Sequence, residues 1–310
     1  VRIGVSVYDG YDTFISELTT AFREAAAAEA RSVQIELSDA GRSQEVQDKA
    51  VRQMLDNGCY IICVNLVDRT APGKIIDMAK KKNVPIIFFN RELVEEDLER
   101  WDKLYYVGAD AKESGVLQGE LAAAYLKAHT EADRNQDGVI QYVVLEGEAG
   151  HQDAILRTEY AASTLKERGI ALEKLGYALA NWNRSQAQTQ VQQLLQSYGT
   201  RIELILANND DMALGALDAY RASNIPLPPI FGIDGTEPGL AAVRDKSLTG
   251  TVKNNGIGQA EAMLSLALSL AAGEKSAYTL DRGKYIRIPY EAVSADKDSS
   301  MTVRSTELSR

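Results

Sequence analysis

The stretch RIGVSVYDGYDTFISELTTAFREAAAAEA, residues 2–30, decides the fold class. Residues 2–8 are apolar and rich in β-branched side chains, which is typical of a buried strand. Apolar residues then recur at the three- and four-residue spacing of a helix, at Phe14, Ile15, Leu18, Phe22 and Ala25. The stretch therefore predicts a strand followed by a helix, the repeating element of an α/β fold.

The same alternation continues along the chain. The first run adds strands at 33–37, 60–65, 85–90 and 104–107 and helices at 43–57 and 72–82. A second run has helices at 111–128, 152–168, 184–197, 211–223 and 238–245 and strands at 140–145, 173–178, 202–207, 229–234 and 248–253. A helix at 258–272 and a strand-like 285–289 can return to the first lobe, and we expect irregular surface chain at 294–310. We predict an α/β protein of two doubly wound parallel-sheet lobes.

The bulk composition excludes several classes of protein. The 310 residues suffice for two cores, while a formal charge of −10, a pI near 4.9 and no basic stripe argue against a nucleic-acid partner. No apolar run approaches the roughly 20 residues that span a bilayer. Because residues 2–8 already read as a strand, we expect a mature secreted chain whose signal peptide is absent.

The two cysteines are not expected to form a disulfide. Cys59 and Cys63 lie in or beside the strand at 60–65, where four extended residues separate their Cα atoms by about 13 Å. A disulfide needs less than roughly 7 Å, so both thiols should be free and buried.

Polar residues follow the predicted strands at their carboxyl ends, where ligands bind in doubly wound sheets. These residues are Asp12, Asn90, His151, Asp153, Asn209, Asp234 and Asn254, with Phe14 close behind the first strand. Each one alone could simply cap a helix or form a turn. The whole set favours a shared ligand.

The chain resembles the periplasmic galactose/glucose-binding proteins of bacterial ABC sugar importers along nearly its whole length. The motifs that carry the resemblance are NLVD (65–68), FFN (88–90), YYVGAD (105–110), KESG (112–115), GEAGHQDAILRT (147–158), ANND (207–210) and the loop at 133–138. The resemblance implies a type I periplasmic binding protein with a three-stranded hinge. The first lobe would hold 1–109 and 256–292, the second 110–255 and 293–310, with a sugar cleft between them.

Carried over position by position, the family's sugar contacts fall on Asp12, Asn90, His151, Asp153, Arg157, Asn209, Asp234 and Asn254, and its flanking rings on Phe14 and Trp182. Trp182 and Phe14 could instead be core residues, and His151 a surface residue. The chain departs from the family in the residues before Asp12, at Ala149 and Gln152, and in its C-terminal tail.

The residue types suit a pyranose. Carboxylates accept hydrogen bonds, Arg157 donates them and asparagines do both, so each hydroxyl of a sugar can be paired. The faces of the aromatic rings suit the C–H faces of the sugar.

The segment from Asp133 to Gln141 resembles an EF-hand calcium loop. Asp133, Asn135, Asp137, Gly138, Val139 and Gln141 match loop positions 1, 3, 5, 6, 7 and 9, and Val139 offers its carbonyl oxygen. Position 12 is Val144, and the resemblance supplies Glu203 as the missing carboxylate. We expect a structural Ca²⁺; the alternative is a turn rich in Asx residues.

Three classes of function are open to a two-lobed α/β chain of this kind. The first is a monomeric periplasmic binding protein that closes on a glucose- or galactose-type sugar and delivers it to a membrane permease, with a chemoreceptor as a possible second partner. A cyclic polyol such as myo-inositol, or another hexose or pentose, is the alternative ligand. A sugar-responsive regulator is disfavoured because we expect no DNA-binding headpiece. An enzyme is disfavoured because no nucleophile, nucleotide-binding or zinc-binding motif occurs, although Asp12, Asp153 and Asp234 could supply an acid and a base.

Overall fold

The computed structural model describes residues 1–295, which form two compact units. The first unit comprises Val1–Ala109 and Gly256–Ile288, and the second comprises Asp110–Asn255 and residues 289–295. The chain therefore passes between the units three times.

The helices and strands alternate through both units. The first unit begins with β1 Arg2–Val7, α1 Thr13–Ala28, β2 Gln34–Asp39, α2 Gln44–Asp56, β3 Ile61–Val64, α3 Gly73–Lys82, β4 Ile86–Phe89, α4 Glu95–Leu98 and β5 Leu104–Gly108. The second unit contains α5 Ala111–Ala128, β6 Ile140–Glu146, α6 Gln152–Glu167, β7 Leu172–Leu179, α7 Arg184–Tyr198, β8 Leu204–Ala207, α8 Asp210–Arg221, β9 Ile230–Asp234, α9 Glu237–Arg244 and β10 Gly250–Lys253. The chain then adds α10 Gly256–Ala272 and β11 Tyr285–Arg287 to the first unit and β12 Glu291–Ser294 to the second.

Each unit is built on one six-stranded sheet. The strand order of the first is β11-β5-β4-β3-β1-β2, and all neighbouring strands are parallel. The second has the order β12-β10-β9-β8-β6-β7 and is parallel except for the antiparallel pair of β10 and β12. In each sheet the chain first adds a strand on one side of its starting strand and then continues on the other side, so the strand order reverses at β1 in the first sheet and at β6 in the second. Ligands bind near the carboxyl ends of strands at such a reversal.

The strand sequences explain why helices cover both faces of each sheet. The runs IICV in β3 and IIFF in β4 are buried at every position. A strand buried on both faces reads as a continuous apolar run rather than as an alternation. Side chains such as Asp12 and Asn209 cap the following helices, so the helices begin just past the strand ends.

One expected boundary is wrong. The family resemblance predicts that residues 289–292 belong to the first lobe, but β12 pairs with β10 of the second sheet, and the Tyr290 hydroxyl accepts a hydrogen bond from Arg157 of the same unit. The last crossing therefore falls after Ile288. The strand β12 lacks a predictive pattern because it is an edge strand without a fully buried position, and its sequence EAVS contains no apolar run. The expectation of irregular chain at 294–310 falls almost wholly outside the described residues.

Cys59 and Cys63 are free and buried, as expected, and burial raises the pKa of the Cys59 thiol to about 11. No helix within residues 1–295 combines the length and apolar character required to cross a membrane.

Candidate functional site

In the first unit, Asp12 lies just after β1 and is held by two hydrogen bonds. Its Oδ1 accepts from the backbone N–H of Ile15, 3.0 Å away, and so caps α1, while its Oδ2 accepts from the Tyr8 hydroxyl at 2.5 Å. Burial raises the pKa of Asp12, although both hydrogen bonds oppose the rise. Asp12 is thus a helix cap, as the alternative interpretation expected, and also a carboxylate of fixed orientation.

Asn90 lies directly after β4 with a left-handed backbone, φ 61°. The Asn65 side chain connects it to the end of β1: Nδ2 of Asn65 donates to Oδ1 of Asn90 at 3.1 Å, and Oδ1 of Asn65 accepts from the backbone N–H of Tyr8 at 3.2 Å. The Tyr106 hydroxyl holds the Asn90 carbonyl at 2.9 Å. These bonds bring the surroundings of Asn90 and Asp12 into one network.

Phe14 packs in the apolar cluster of the first unit, which also includes Leu18 and Phe22. A Cβ placed on Gly256 would lie 3.3 Å from the Phe14 ring. The ring therefore has the surroundings of a core residue, the alternative that its helical spacing allowed.

Sequence reasoning missed Tyr8 and Arg91 in this unit. The Arg91 guanidinium carbon lies 3.6 Å from the centre of the Tyr8 ring, and its Nη1 donates to the Val67 carbonyl at 2.9 Å. Its positive charge also lowers the pKa of Asp12, against the larger effect of burial. Arg91 directly follows the candidate Asn90, and a charged residue in that position was a signal that could have found it.

In the second unit, Arg157 is the centre of the candidate site. Only 3% of it is exposed. Nη1 donates to the Asn208 carbonyl at 2.8 Å, while Nη2 lies 3.1 Å from the Tyr290 hydroxyl, 3.4 Å from Oδ1 of Asp234 and 3.8 Å from Oδ2 of Asp153. Arg157 thus joins two predicted ligand carboxylates.

The electrostatics of Arg157 follow from these contacts. Burial opposes its charge, but the hydrogen bond to Tyr290 and the negative charges of Asp234 and Asp153 outweigh that effect and raise the pKa of the guanidinium further. Conversely, burial raises the pKa of Tyr290 to about 12, so its hydroxyl stays protonated. Nε of Arg157 is buried and has no hydrogen-bond partner within the described chain.

His151 and Trp182 lie beside Arg157. Nδ1 of His151 accepts from the backbone N–H of Asp153 at 3.1 Å and caps α6, which leaves Nε2 as the donor. The imidazole meets the Trp182 indole edge to face, with ring centres 5.2 Å apart, and the Arg157 guanidinium carbon is 5.8 Å from the indole centre. Trp182 is 8% exposed, and a Cβ on Gly147 would lie 2.1 Å from its ring. Trp182 therefore joins the core of this unit as well as the candidate site.

The remaining candidates adjoin the same network. Nδ2 of Asn209 donates to the Trp182 carbonyl at 3.3 Å, and the backbone N–H of Asn254 donates to the Asp234 carbonyl at 2.8 Å. Asp234 has a φ of 112°, a backbone conformation that is costly for a residue other than glycine and is found mainly at functional sites. All seven candidates of the second unit are thus connected through shared contacts.

The predicted metal loop is held by hydrogen bonds among its own groups. Nδ2 of Asn135 donates to Oδ2 of Asp137 at 3.0 Å and to Oε1 of Gln141 at 3.1 Å, and the backbone N–H of Val139 donates to Oδ1 of Asp137 at 2.8 Å. These bonds bring four of the predicted ligands together at the tight turn.

The two remaining predicted ligands are the carboxylates of Asp133, at the start of the loop, and Glu203, just before β8. The Glu203 carboxylate accepts from the backbone N–H groups of Arg134 at 2.7 Å and Gln141 at 3.0 Å, so it lies against the loop as predicted. Oδ1 of Asp133 is buried without a hydrogen-bond partner in the described chain. Within residues 1–295 no three His, Cys, Asp or Glu side chains converge closely enough to hold a metal by themselves. A metal here would also need the amide and carbonyl oxygens.

The strand-end ligand candidates and the two doubly wound sheets are features of a known protein family. The sequence from residue 3 to 275 matches the periplasmic binding protein domain family, and the chain belongs to that family. The D-galactose/methyl-galactoside binding periplasmic protein MglB of Haemophilus influenzae is 37% identical over 302 residues, which cover 96% of this chain and 90% of that protein. The xylitol-binding protein of Mycolicibacterium smegmatis is 30% identical, over 88% of this chain and 73% of its own length.

Among solved structures, an ABC transporter solute-binding protein of Bacillus halodurans with bound myo-inositol superposes with a TM-score of 0.80 at 29% identity. The superposition covers 95% of this chain and 94% of that one. The α/β fold class and the family resemblance predicted from the sequence are therefore confirmed.

Proposed function

We propose that this protein is the periplasmic solute-binding component of an ABC importer and that it captures a monosaccharide of the galactose or glucose type. The observation that carries the proposal is the buried Arg157, which holds Asp153 and Asp234 beside the imidazole of His151 and the indole of Trp182. The 37% identity to MglB supports the same conclusion.

The residue chemistry explains why a sugar suits this site. Arg157 places one positive charge beside two carboxylates and so offsets part of their mutual repulsion, which allows both to accept hydroxyl hydrogens. Charge-assisted hydrogen bonds are each worth roughly 1.5–3 kcal/mol, so a ligand lacking one hydroxyl would leave a buried acceptor unpaired and bind weakly.

The proposal assigns residues of both units to one ligand. Asp12 and Asn90, with Phe14 nearby, are contributed by the first unit, and the seven connected candidates by the second. A ligand stabilises whichever state of the protein binds it more tightly, and a permease can recognise that state. Loss of either set should therefore weaken binding.

A cyclic polyol is the second candidate ligand. It is favoured by the relationship to the Bacillus halodurans protein with bound myo-inositol. The ring of hydroxyls in myo-inositol has nearly the size and shape of a pyranose, so the same donors and acceptors would serve.

The experiment that tests the proposal is a ligand screen. Melting temperature and calorimetric heat would be measured with D-galactose, D-glucose, D-ribose, myo-inositol and xylitol. We expect one hexose to bind with a 1:1 stoichiometry and to be recovered chemically unchanged. Preference for myo-inositol would establish the second candidate, and no response to any compound would contradict both.

We further propose the location, oligomeric state and partners of the protein. It acts as a monomer in the periplasm, carries out no chemical reaction and hands its ligand to the membrane permease of the importer. The family resemblance adds a chemoreceptor as a second partner.

We also propose that the loop from Asp133 to Gln141, with Glu203, binds a structural Ca²⁺. The donors are all oxygens, which Ca²⁺ prefers, and the unpartnered buried Oδ1 of Asp133 lacks the partner that such an ion would supply. Bound Ca²⁺ would fix the connection between α5 and β6.

Chelation tests the calcium proposal. A chelator should lower the melting temperature and added Ca²⁺ should restore it, since a ligand of the folded state stabilises that state. Asp133→Asn should abolish the response, whereas Glu131→Gln, an exposed carboxylate outside the ligand set, should retain it. A melting temperature indifferent to both chelator and Ca²⁺ would contradict the proposal.

A further inference from the structure

Asp210 is a fully buried carboxylate that the proposed ligand contacts do not use. It begins α8, directly after the candidate ligand residue Asn209. No Lys or Arg within the described part of the chain forms an ion pair with it. A buried carboxylate without a cation is costly, so its hydrogen-bond donors must explain its presence.

Its donors come from the segment after β9 and from the strand β10 of the same unit. Oδ2 of Asp210 accepts from the backbone N–H of Thr236 at 2.9 Å and from its hydroxyl at 3.3 Å, and Oδ1 accepts from the Thr251 hydroxyl at 2.5 Å. Thr236 lies two residues after Asp234, and Thr251 three residues before Asn254. One carboxylate thus connects the segment after β8, which contains Asn209, to the segment after Asp234 and to the strand that precedes Asn254.

Asp210 fixes the turn that follows β9 and includes Asp234 and Thr236. Asp234 has its unusual φ of 112°, its carbonyl is fixed by the Asn254 N–H, and the chain two residues later is fixed by Asp210. The pocket around Asp210 fits a carboxylate closely, because a Cβ on Gly232 or Gly239 would lie 2.3 Å or 2.1 Å from its oxygens. Asp210 thus fixes the chain two residues beyond Asp234, in addition to the Asp234 contacts with Arg157 and Asn254.

We propose that Asp210 is a positioning residue for ligand binding, which acts by fixing the turn that presents Asp234 to the sugar. The inference rests on the proposed function, since it takes Asp234 to be a ligand contact. It predicts that the contribution of Asp210 to affinity depends on the carboxylate of Asp234.

A double-mutant cycle tests this dependence. Affinity for the tightest-binding compound of the screen would be measured at pH 8 for the wild type, Asp210→Asn, Asp234→Asn and the double variant. Asp210→Asn should weaken binding on the order of tenfold in the wild type and less than about twofold when Asp234 is already changed. A purely structural role would give the same loss in both backgrounds.

Two further variants serve as controls. Asp211→Asn removes a neighbouring charge from the first turn of α8 and should bind like the wild type. Thr251→Val removes one donor to Asp210 without touching a ligand candidate, so it tests the same connection if Asp210→Asn fails to fold. It too should weaken binding only when Asp234 is intact.

Equal losses in both backgrounds, or wild-type affinity for both Asp210→Asn and Thr251→Val, would overturn the inference. If Asp234→Asn alone binds like the wild type, the site assignment under the proposed function fails instead, and the premise of the inference fails with it.

Discussion

Removing the Arg157 side chain should lower the free energy of unfolding of the second unit more than removing an exposed side chain of the same size. Arg157→Ala deletes the bonds to the Asn208 carbonyl at 2.8 Å and the Tyr290 hydroxyl at 3.1 Å, and it leaves Asp234 and Asp153 without their cation. Breaking a buried ion pair by removing one partner costs about 3–5 kcal/mol. Loss of a charged contact to the ligand adds roughly 1.5–3 kcal/mol to the free energy of binding, a weakening of tenfold or more.

Arg168→Ala is a matched control. Arg168 lies at the end of the same helix and pairs with Glu120, but it is 55% exposed, so its loss should change stability only slightly.

The assay uses the two tryptophans, one in each unit. In a Trp101→Phe background, Trp182 fluorescence reports denaturant unfolding of the second unit alone. Equal unfolding free energies for Arg157→Ala and Arg168→Ala would refute the reasoning from burial.

Three further predictions concern single residues. Tyr8→Phe removes the donor to Asp12 and should weaken binding roughly fivefold, a loss of about 1 kcal/mol; unchanged calorimetric affinity would contradict this. Trp182→Phe keeps an aromatic ring and should bind the sugar more tightly than Trp182→Ala, whose affinity should fall at least tenfold; equal affinities would exclude a role for the ring. Burial raises the pKa of Asp210 from 3.8 to about 7, so the folded state holds that proton more tightly and loses stability as pH rises between those values. Relative to Asp210→Asn, the wild type should lose up to about 1.4 kcal/mol per pH unit in that window and nothing more above it, as measured by denaturant unfolding.

Local pattern was sufficient to predict most of the fold. The helical spacing that begins at Phe14 and the apolar runs of β3 and β4 follow directly from how these elements are buried, so their sequences carry the signal. The strand β12 has no such signal, because its place is determined by pairing with β10 far away in the chain.

The candidate site was predictable only in part, for the same reason. Polar residues at strand ends identified Asp153 and Asp234, and the family resemblance supplied Arg157 and Trp182. Tyr290 was missed because its contact with Arg157 joins residues 133 positions apart, and no local pattern records such a contact.

Capping a helix does not exclude a role in ligand binding. Asp12, His151 and Asn209 each cap a helix with one polar atom and retain others that can serve a ligand. The burial of Phe14 and Trp182 shows the limit of sequence spacing, since the same spacing suits a core residue and a ring beside a sugar.

The most direct measurement is titration calorimetry of the preferred sugar against three proteins: the wild type, Asp12→Ala from the first unit and Asp234→Ala from the second. The account predicts one bound sugar per wild-type chain and an affinity at least tenfold weaker in each variant. Undiminished affinity in either variant, or no binding heat from the wild type with any sugar or polyol, would contradict it.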